Sequence, residues 1–177
     1  VDENFLRVFS IDFLQGNNEY ALSEPDHIIL TESIVEKFFK DQTAMNQIVE
    51  VDGDPFKVVG IVADPPKNTH IPYQYIVANH VDKEATYYWS GNNTFTYARL
   101  KPNSNVADVS ILLTKFYEEK VGPSYIEYTG HESFEALVKE YPNRNFSFTL
   151  LPVLNIHLVK PHMSLGKGGN EEGIFIF

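Results

Sequence analysis

The sequence has no cysteine among its 177 residues and no long apolar run. The absence of cysteine excludes disulfide bonds, cysteine-ligated zinc, iron–sulfur clusters and thiol catalysis. A membrane-spanning helix needs about 18 or more consecutive apolar residues, and no stretch of the sequence approaches that length. The sequence therefore predicts no membrane-spanning segment within this chain.

Positive charge is scarce, because 14 Lys and Arg stand against 24 Asp and Glu and the net charge is −10 at pH 7. Such a chain repels phosphate groups, so the composition argues against binding to nucleic acid and to anionic lipid headgroups. Aromatic residues are plentiful, with 13 Phe, 10 Tyr and 1 Trp. Many of these rings are expected in a core, but a surplus of tyrosine also marks recognition surfaces.

The first half of the sequence indicates a mixed unit of helices and strands. Apolar spacing predicts a helix near residues 2–9 and a second helix after a strand at residues 27–30. Thr31 is the predicted cap of this second helix, whose expected apolar face is Ile34, Val35, Phe38 and Phe39. Asp52-Gly53 lies between two apolar runs and predicts a β-hairpin over residues 48–62, because this dipeptide accepts positive φ angles. Short strands are also expected at residues 11–13 and 73–78.

The second half of the sequence predicts a strand–helix–helix–strand unit, so the fold class is α+β. The strands are expected at residues 95–100 and from residue 146 towards residue 158. One helix follows Asn105 and carries an apolar stripe, and a shorter helix covers residues 132–141. The predicted stripe comprises Val106, Val109, Leu112, Leu113, Phe116 and Tyr117. Residues 79–93 are polar and irregular, so we place a subdomain boundary there, which gives subdomains of residues 1–90 and 91–177.

No arrangement of side chains predicts a catalytic or metal site. The six histidines, at positions 27, 70, 80, 131, 157 and 162, lack the His-Glu-x-x-His spacing that places two zinc ligands on one helix face. The stretch 166–169 lacks the Lys-Ser/Thr ending of a phosphate-binding loop. We therefore predict no catalytic residue, no metal ligand and no bound cofactor in this chain. A hydrolase whose pocket is built from scattered carboxylates stays an alternative.

Several stretches, taken in order along the chain, resemble the MacB-like periplasmic core domains of ABC-transporter permeases. Residues 1–16 are similar to the family pattern V-D-x-x-F-F-x-x-F…L-x-G, and residues 28–39 to its strand and following helix. The resemblance continues through V-D-G-D-P-F-K-V-V-G-I-V and the D-P-P and N-T-H that follow it in residues 51–70. Residues 150–158 are also similar, and the apolar residues 173–177 resemble the approach to a second transmembrane helix.

The resemblance implies the extracytoplasmic domain of an FtsX/MacB-type permease at the periplasmic face of the inner membrane of a Gram-negative bacterium. Residues 1–90 would form a β-rich, Sabre-like subdomain with a helix. Residues 91–177 would form a porter-like subdomain whose N-terminal part is missing, since we expect the chain to be excised from a longer protein. ATP would be bound by a separate cytoplasmic domain or subunit. The implied partners are this ATPase, a second copy of the permease, and a periplasmic adaptor or substrate protein.

Tyrosine-rich segments supply the candidate partner-binding residues, which are Tyr87, Tyr88, Trp89, Tyr125 and Tyr128. Aromatic residues in loops are common at protein interfaces. Two alternatives stay open at this point. The same rings could cover the core, and the chain could be a free-standing envelope module that binds a peptide or a glycan.

Overall fold

A computed structural model describes residues 1–40, 42–78 and 95–156 of the chain. The described residues form two compact units, one of residues 1–40, 42–78 and 153–156 and one of residues 95–152. The first unit contains a β-sheet with two helices and the second contains three helices, so the predicted α+β class is confirmed. The predicted subdomain boundary near residue 90 lies outside the described residues and stays a prediction.

The first unit is built around one five-stranded sheet. Its central strand is β4, which pairs with β2 in parallel on one side and with both β3 and β1 in antiparallel on the other. Strand β5 extends the sheet by antiparallel pairing with β2. The elements run in the order α1 (Phe5–Val8), β1 (Phe13–Gly16), β2 (His27–Thr31), α2 (Glu32–Phe39), β3 (Ile48–Val51), β4 (Asp54–Val62) and β5 (Tyr75–Val77).

Both faces of this sheet are covered by apolar side chains. Successive residues of a strand point to opposite faces. Ile28 and Leu30 of β2 accordingly pack with residues of α2 on one face, and Ile29 packs on the other face with residues of α1. The three β2 side chains are buried. A sheet with two covered faces behaves as a stiff, closely packed body.

The predicted hairpin is confirmed, and its turn needs two residues that accept positive φ angles, which Asp52 and Gly53 do. Asp52 and Gly53 join β3 to β4 with φ angles of 55° and 93°. Two consecutive positive φ angles are typical of a type I′ turn, whose twist matches the twist of the flanking strands. The Ile48–Lys57 and Val51–Asp54 pairs then fix the hairpin register.

Helix α2 differs from its prediction at the cap and on one position of its apolar face. Thr31 is the N-cap residue, but its side chain makes no capping hydrogen bond to the helix. Asp64 supplies the cap instead, because it accepts hydrogen bonds from the Ser33 amide nitrogen at 3.3 Å and from the Ser33 hydroxyl. Phe38, predicted on the apolar face, is exposed, and the Lys37 ammonium lies 5.0 Å from its ring centre.

The second unit contains three helices, α3 (Val106–Lys120), α4 (Gly122–Thr129) and α5 (Phe134–Glu140). The side chains of Asn105 and Ser133 cap α3 and α5 by accepting from the Ala107 and Ala136 amides at 2.9 and 3.1 Å. Helix α4 was not predicted. Proline near its first turn and Gly130 at its C-cap, with φ of 73°, are the local signals that mark this helix.

The two strands predicted for the second half do not form in the described residues. Residues 95–100 and 146–152 carry no strand, and Val153–Asn155 form a single 3-10 turn. Alternating apolar residues predict a chain with one buried face, but a strand also needs a neighbouring backbone to pair with. Phe146 and Phe148 use their shared face to pack against the helices instead.

Candidate interaction surface of the helical unit

An aromatic cluster forms the core of the helical unit. Phe134 lies with its ring centre 5.8 Å from that of Phe146, in an edge-to-face arrangement, and Tyr117 lies 5.1 Å from Phe148 in the same geometry. Edge-to-face contacts are favourable because the positive ring edge meets the negative ring face. Gly122 allows the close approach of α4 and α5, since a Cβ there would lie 3.1 Å from the Phe134 ring.

Tyr125, one of the predicted partner-binding residues, belongs to this cluster. Its ring stacks on Tyr117 at 6.5 Å and meets Phe146 edge-on at 6.1 Å, and the Arg144 guanidinium lies 5.6 Å from the Tyr125 ring centre. Burial and then a hydrogen bond between the two hydroxyls raise the pKa of Tyr117 to about 12. The Tyr117 hydroxyl therefore stays protonated at neutral pH. The position of Tyr125 favours a structural role, and a role in binding a partner stays a prediction.

Tyr128 lies three residues further along α4 and has a different environment. Its side chain is 88% exposed, the second-highest exposure among the large apolar and aromatic residues of the described chain. An exposed tyrosine on a short, capped helix is suited to contact a partner because its ring loses little conformational freedom on binding. The three remaining candidates, Tyr87, Tyr88 and Trp89, lie outside the described residues.

A polar cluster holds the end of α4 against the end of α5. The two ring nitrogens of His131 lie 2.7 Å from the Thr129 hydroxyl and 2.9 Å from a Glu140 carboxylate oxygen. The hydrogen bond with His131 lowers the pKa of Glu140, and the neighbouring Glu140 carboxylate raises the pKa of Tyr141. The cluster therefore connects two helices of the unit through hydrogen bonds between α4, α5 and the turn that joins them.

The order hydroxyl, imidazole, carboxylate in this cluster is also the order of a nucleophilic triad. In a triad the hydroxyl gives its proton to the imidazole. The Thr129 hydroxyl instead donates to the Tyr125 backbone carbonyl at 2.6 Å, so its proton is already engaged by the helix. The arrangement favours a structural role, in which the cluster connects α4 to α5, over a catalytic role.

Among the described residues, no group of three His, Asp or Glu side chains is arranged to hold a metal ion. The same residues contain no helix that is both long and apolar enough to span a membrane.

Sequence reasoning missed one surface feature, the outward side of α3. Ile111 and Leu112 are 57% and 64% exposed there, and no residue of this 15-residue helix is buried.

Val106 and Leu112 were predicted on the apolar stripe of α3, and their exposures of 55% and 64% correct that prediction. The residues that pack inward are Val109, Leu113 and Tyr117. Ile111 lies well outside the predicted apolar stripe on a helical projection, and this position was the signal in the sequence that a second side of α3 is also apolar.

Comparison with known proteins identifies the family and the fold. The sequence model of the family described as "MacB-like periplasmic core domain" matches residues 1–116. No curated protein matches the sequence. Among solved structures, a domain assigned as a permease protein from Porphyromonas gingivalis has a TM-score of 0.55 and 20% identity, over 67% of this chain and 57% of that chain.

The periplasmic region of MacB from Actinobacillus actinomycetemcomitans is a second similar structure. It has a TM-score of 0.31 and 13% identity, over 81% of this chain and 64% of that chain. The chain thus spans 57% and 64% of the length of these two solved structures.

Proposed function

The chain belongs to the family of MacB-like periplasmic core domains, and from this membership we propose that it is the extracytoplasmic domain of an ABC-transporter permease. The observation that carries the proposal is the family match over residues 1–116. This range contains all seven helices and strands of the sheet unit and the first part of α3.

In this proposal the domain couples ATP hydrolysis in the cytoplasm to movement in the periplasm. ATP is bound by a separate cytoplasmic domain or subunit, and the chain itself carries no cofactor and no catalytic residue. The parent permease lies in the inner membrane, with this domain at its periplasmic face. Its partners are the ATPase, a second permease copy, and a periplasmic adaptor or exported substrate.

The packing of the sheet unit is suited to transmitting a displacement. A lever must move as a body, which requires a close-packed interior and secondary-structure elements that are fixed to one another. The sheet has apolar cores on both faces, and Asp64 ties the start of α2 to the chain that follows β4.

In this proposal, aromatic residues form the surface that contacts the partner. Tyr128 is the described residue that fits this role best, because its ring is exposed on the last turn of α4. Tyr87, Tyr88 and Trp89 are proposed to act with it.

The location of the domain is the first test of the proposal. We expect the full-length parent to sediment with the inner membrane, and added protease to cut this domain only after the outer membrane of the cells is permeabilised. A cytoplasmic protein, protected until the inner membrane is lysed, serves as the control. A parent that is soluble in the periplasm would contradict the permease and favour the envelope module that binds a peptide or glycan.

A further inference from the structure

His131 lies between the C-terminal ends of two helices. Its ring is mostly buried, and its two nitrogens lie 2.7 Å from the Thr129 hydroxyl oxygen and 2.9 Å from a Glu140 carboxylate oxygen. Thr129 is the last residue of α4, and Glu140 is the last residue of α5. The carbonyl groups at a helix C-terminus carry partial negative charge, so both helices favour a cation at this place.

The hydrogen-bond partners of His131 require a proton on each ring nitrogen. The Thr129 hydroxyl donates its single proton to the Tyr125 carbonyl at 2.6 Å, so it accepts from Nδ1 of His131. The hydrogen bond with His131 lowers the pKa of Glu140, so this carboxylate is ionised at neutral pH and accepts from Nε2. Histidine donates from both nitrogens only as the imidazolium cation.

The neutral ring has one proton and leaves one of these bonds unmade. When the proton stays on Nε2, next to the Glu140 carboxylate, the bare Nδ1 faces an oxygen whose proton is engaged elsewhere. The contact with Thr129 is kept only when the Thr129 hydroxyl turns away from the Tyr125 carbonyl and donates to the ring.

We propose that His131 makes the connection between α4 and α5 depend on proton binding. In its protonated form the ring bonds the ends of both helices and pairs with the Glu140 carboxylate. Loss of the proton removes this ion pair and moves the Thr129 hydroxyl bond from the Tyr125 carbonyl to the ring. The connection therefore weakens as the pH rises.

The change acts on the turn of α4 that carries Tyr128. The bond from the Thr129 hydroxyl to the Tyr125 carbonyl spans this turn, and Tyr128 lies immediately before Thr129. Proton binding thus acts on the residue proposed above to contact a partner. This consequence rests on the proposed function, whereas the proton dependence of the connection rests on the His131 contacts alone.

The neighbouring charges do not duplicate this response. The other charged and titratable residues beside the cluster on α4, α5 and the segments flanking α5 are Glu127, Glu132, Glu135, Lys139, Tyr141 and Arg144. The Tyr141 ring lies edge-on to the His131 ring at 6.2 Å, and the Glu140 carboxylate raises the pKa of Tyr141. Tyr141 therefore stays neutral at neutral pH. Carboxylates, lysine and arginine ordinarily keep their charge between about pH 5.5 and 8, whereas histidine is the side chain that ordinarily changes charge there.

Urea unfolding of the 177-residue chain at pH 5.5 and pH 8 tests the proposal. The methyl resonances of Leu137, which is buried in α5, report on the helical unit separately from the sheet. A fold that favours the protonated ring gains stability at low pH and loses it as the pH rises. The amide of the Glu140→Gln variant both donates and accepts, so it pairs with either form of the ring. We expect the unfolding constant to rise between the two pH values by about ten-fold more in the unchanged chain than in Glu140→Gln.

Two further variants separate the hydrogen bonds from general charge effects. Thr129→Val removes the oxygen that faces Nδ1, so the pH dependence should shrink there as well. Glu132→Gln is the matched control, because it removes the same charge from an exposed residue adjacent to His131 in sequence, and it should keep the pH dependence of the unchanged chain. Equal pH dependence in the unchanged chain, Glu140→Gln and Thr129→Val would overturn the proposal.

The ring nitrogen resonances of His131 test the exchange of partners without any variant. In the folded, unchanged chain we expect protons on both nitrogens at low pH and a neutral ring that keeps its proton on Nε2 once the pH is raised. A neutral ring that carries its proton on Nδ1 would overturn the proposal, because the Thr129 hydroxyl would then keep its bond to the Tyr125 carbonyl.

The outcomes separate this inference from the proposed function. Loss of the expected pH dependence rejects the role of His131 and leaves the membrane location of the parent to its own experiment. A soluble periplasmic parent rejects the permease, whereas the unfolding and resonance measurements on the purified chain are made without reference to the membrane.

Discussion

At the scale of single residues, Asp64 shows how a distant side chain completes a helix. The first amides of a helix have no partner within the helix and usually receive one from the N-cap side chain. Helix α2 receives its partner from Asp64, 31 residues after Ser33. Sequence reasoning assigned the cap to Thr31 because local spacing cannot reveal a partner that only the folded sheet brings into place.

Replacing Asp64 should make the stability of the sheet unit less dependent on pH. Hydrogen bonds from Ser33 lower the pKa of Asp64 below its ordinary value of 3.8. A lowered folded-state pKa stabilises the fold above the unfolded-state pKa, and this stabilisation is lost as pH falls through the folded-state pKa. We expect Asp64→Asn to lower the urea midpoint at pH 7, with the difference from the unchanged chain shrinking below roughly pH 4.

Glu36→Gln is the control for Asp64→Asn, because it removes one negative charge from α2 at a position beyond its first turn. It should shift the urea midpoint much less at pH 7. The assignment of Asp64 as the cap would be contradicted if the urea midpoints of Asp64→Asn and the unchanged chain differed by the same amount from neutral to acidic pH.

Two glycines with positive φ angles should respond differently to alanine. Gly16 and Gly53 have φ angles of 92° and 93°, so both substitutions cost about 1–2 kcal/mol for the left-handed backbone. A Cβ on Gly16 would also clash with the Val59 carbonyl oxygen of the neighbouring strand, whereas nothing lies within 4 Å of a Cβ on Gly53. Urea denaturation should show that Gly16→Ala loses about 2–4 kcal/mol and clearly more than Gly53→Ala. Equal losses would contradict the close pairing of β1 and β4.

At the scale of elements, local signals predicted the pieces whose partners are near in sequence. The hairpin of residues 48–62, helices α1, α2, α3 and α5, and the cap Asn105 all follow from spacing within a few residues. Helix α4 was missed, although a proline in its first turn and Gly130 after its end are typical helix boundaries. Its residues were assigned to no helix or strand, and Tyr125 and Tyr128 were predicted as partner-binding residues.

The two strands predicted for the second half show what local signals do not determine. Alternation in Phe146 and Phe148 correctly indicates one packed face, but the described residues of the helical unit contain no strand that could complete a ladder. Pairing is a property of two chain segments, so one segment's sequence does not determine it.

Adjacent residues of α5 should differ sharply in their contribution to the helical unit. Leu137 is 1% exposed and Val138 is 38% exposed, so truncation leaves a cavity at Leu137 and little change at Val138. We expect Leu137→Ala to cost about 2–5 kcal/mol in chemical denaturation. Val138→Ala should cost less than about 1 kcal/mol. Similar losses would show that α5 does not pack in the observed orientation.

At the scale of the whole molecule, the order of predicted helices and strands indicated the α+β class, and the match over residues 1–116 confirmed the family that the resemblance implied. The candidate surface was harder to predict. Tyr125 and Tyr128 have the same side chain and lie on the same short helix, yet Tyr125 packs in the aromatic cluster and Tyr128 is exposed. Only the surrounding helices distinguish the two, so sequence alone could not rank them.

In the proposed function, this domain moves when the ATPase of the permease binds nucleotide. The most direct measurement is the distance between spin labels on Tyr128→Cys in the two copies of the full-length permease, with its ATPase and with cysteines elsewhere in the parent replaced. The cysteine-free domain makes this label unique within the chain. The account predicts different distance distributions in the nucleotide-free and ATP-bound states. Identical distributions in a preparation that hydrolyses ATP would contradict it.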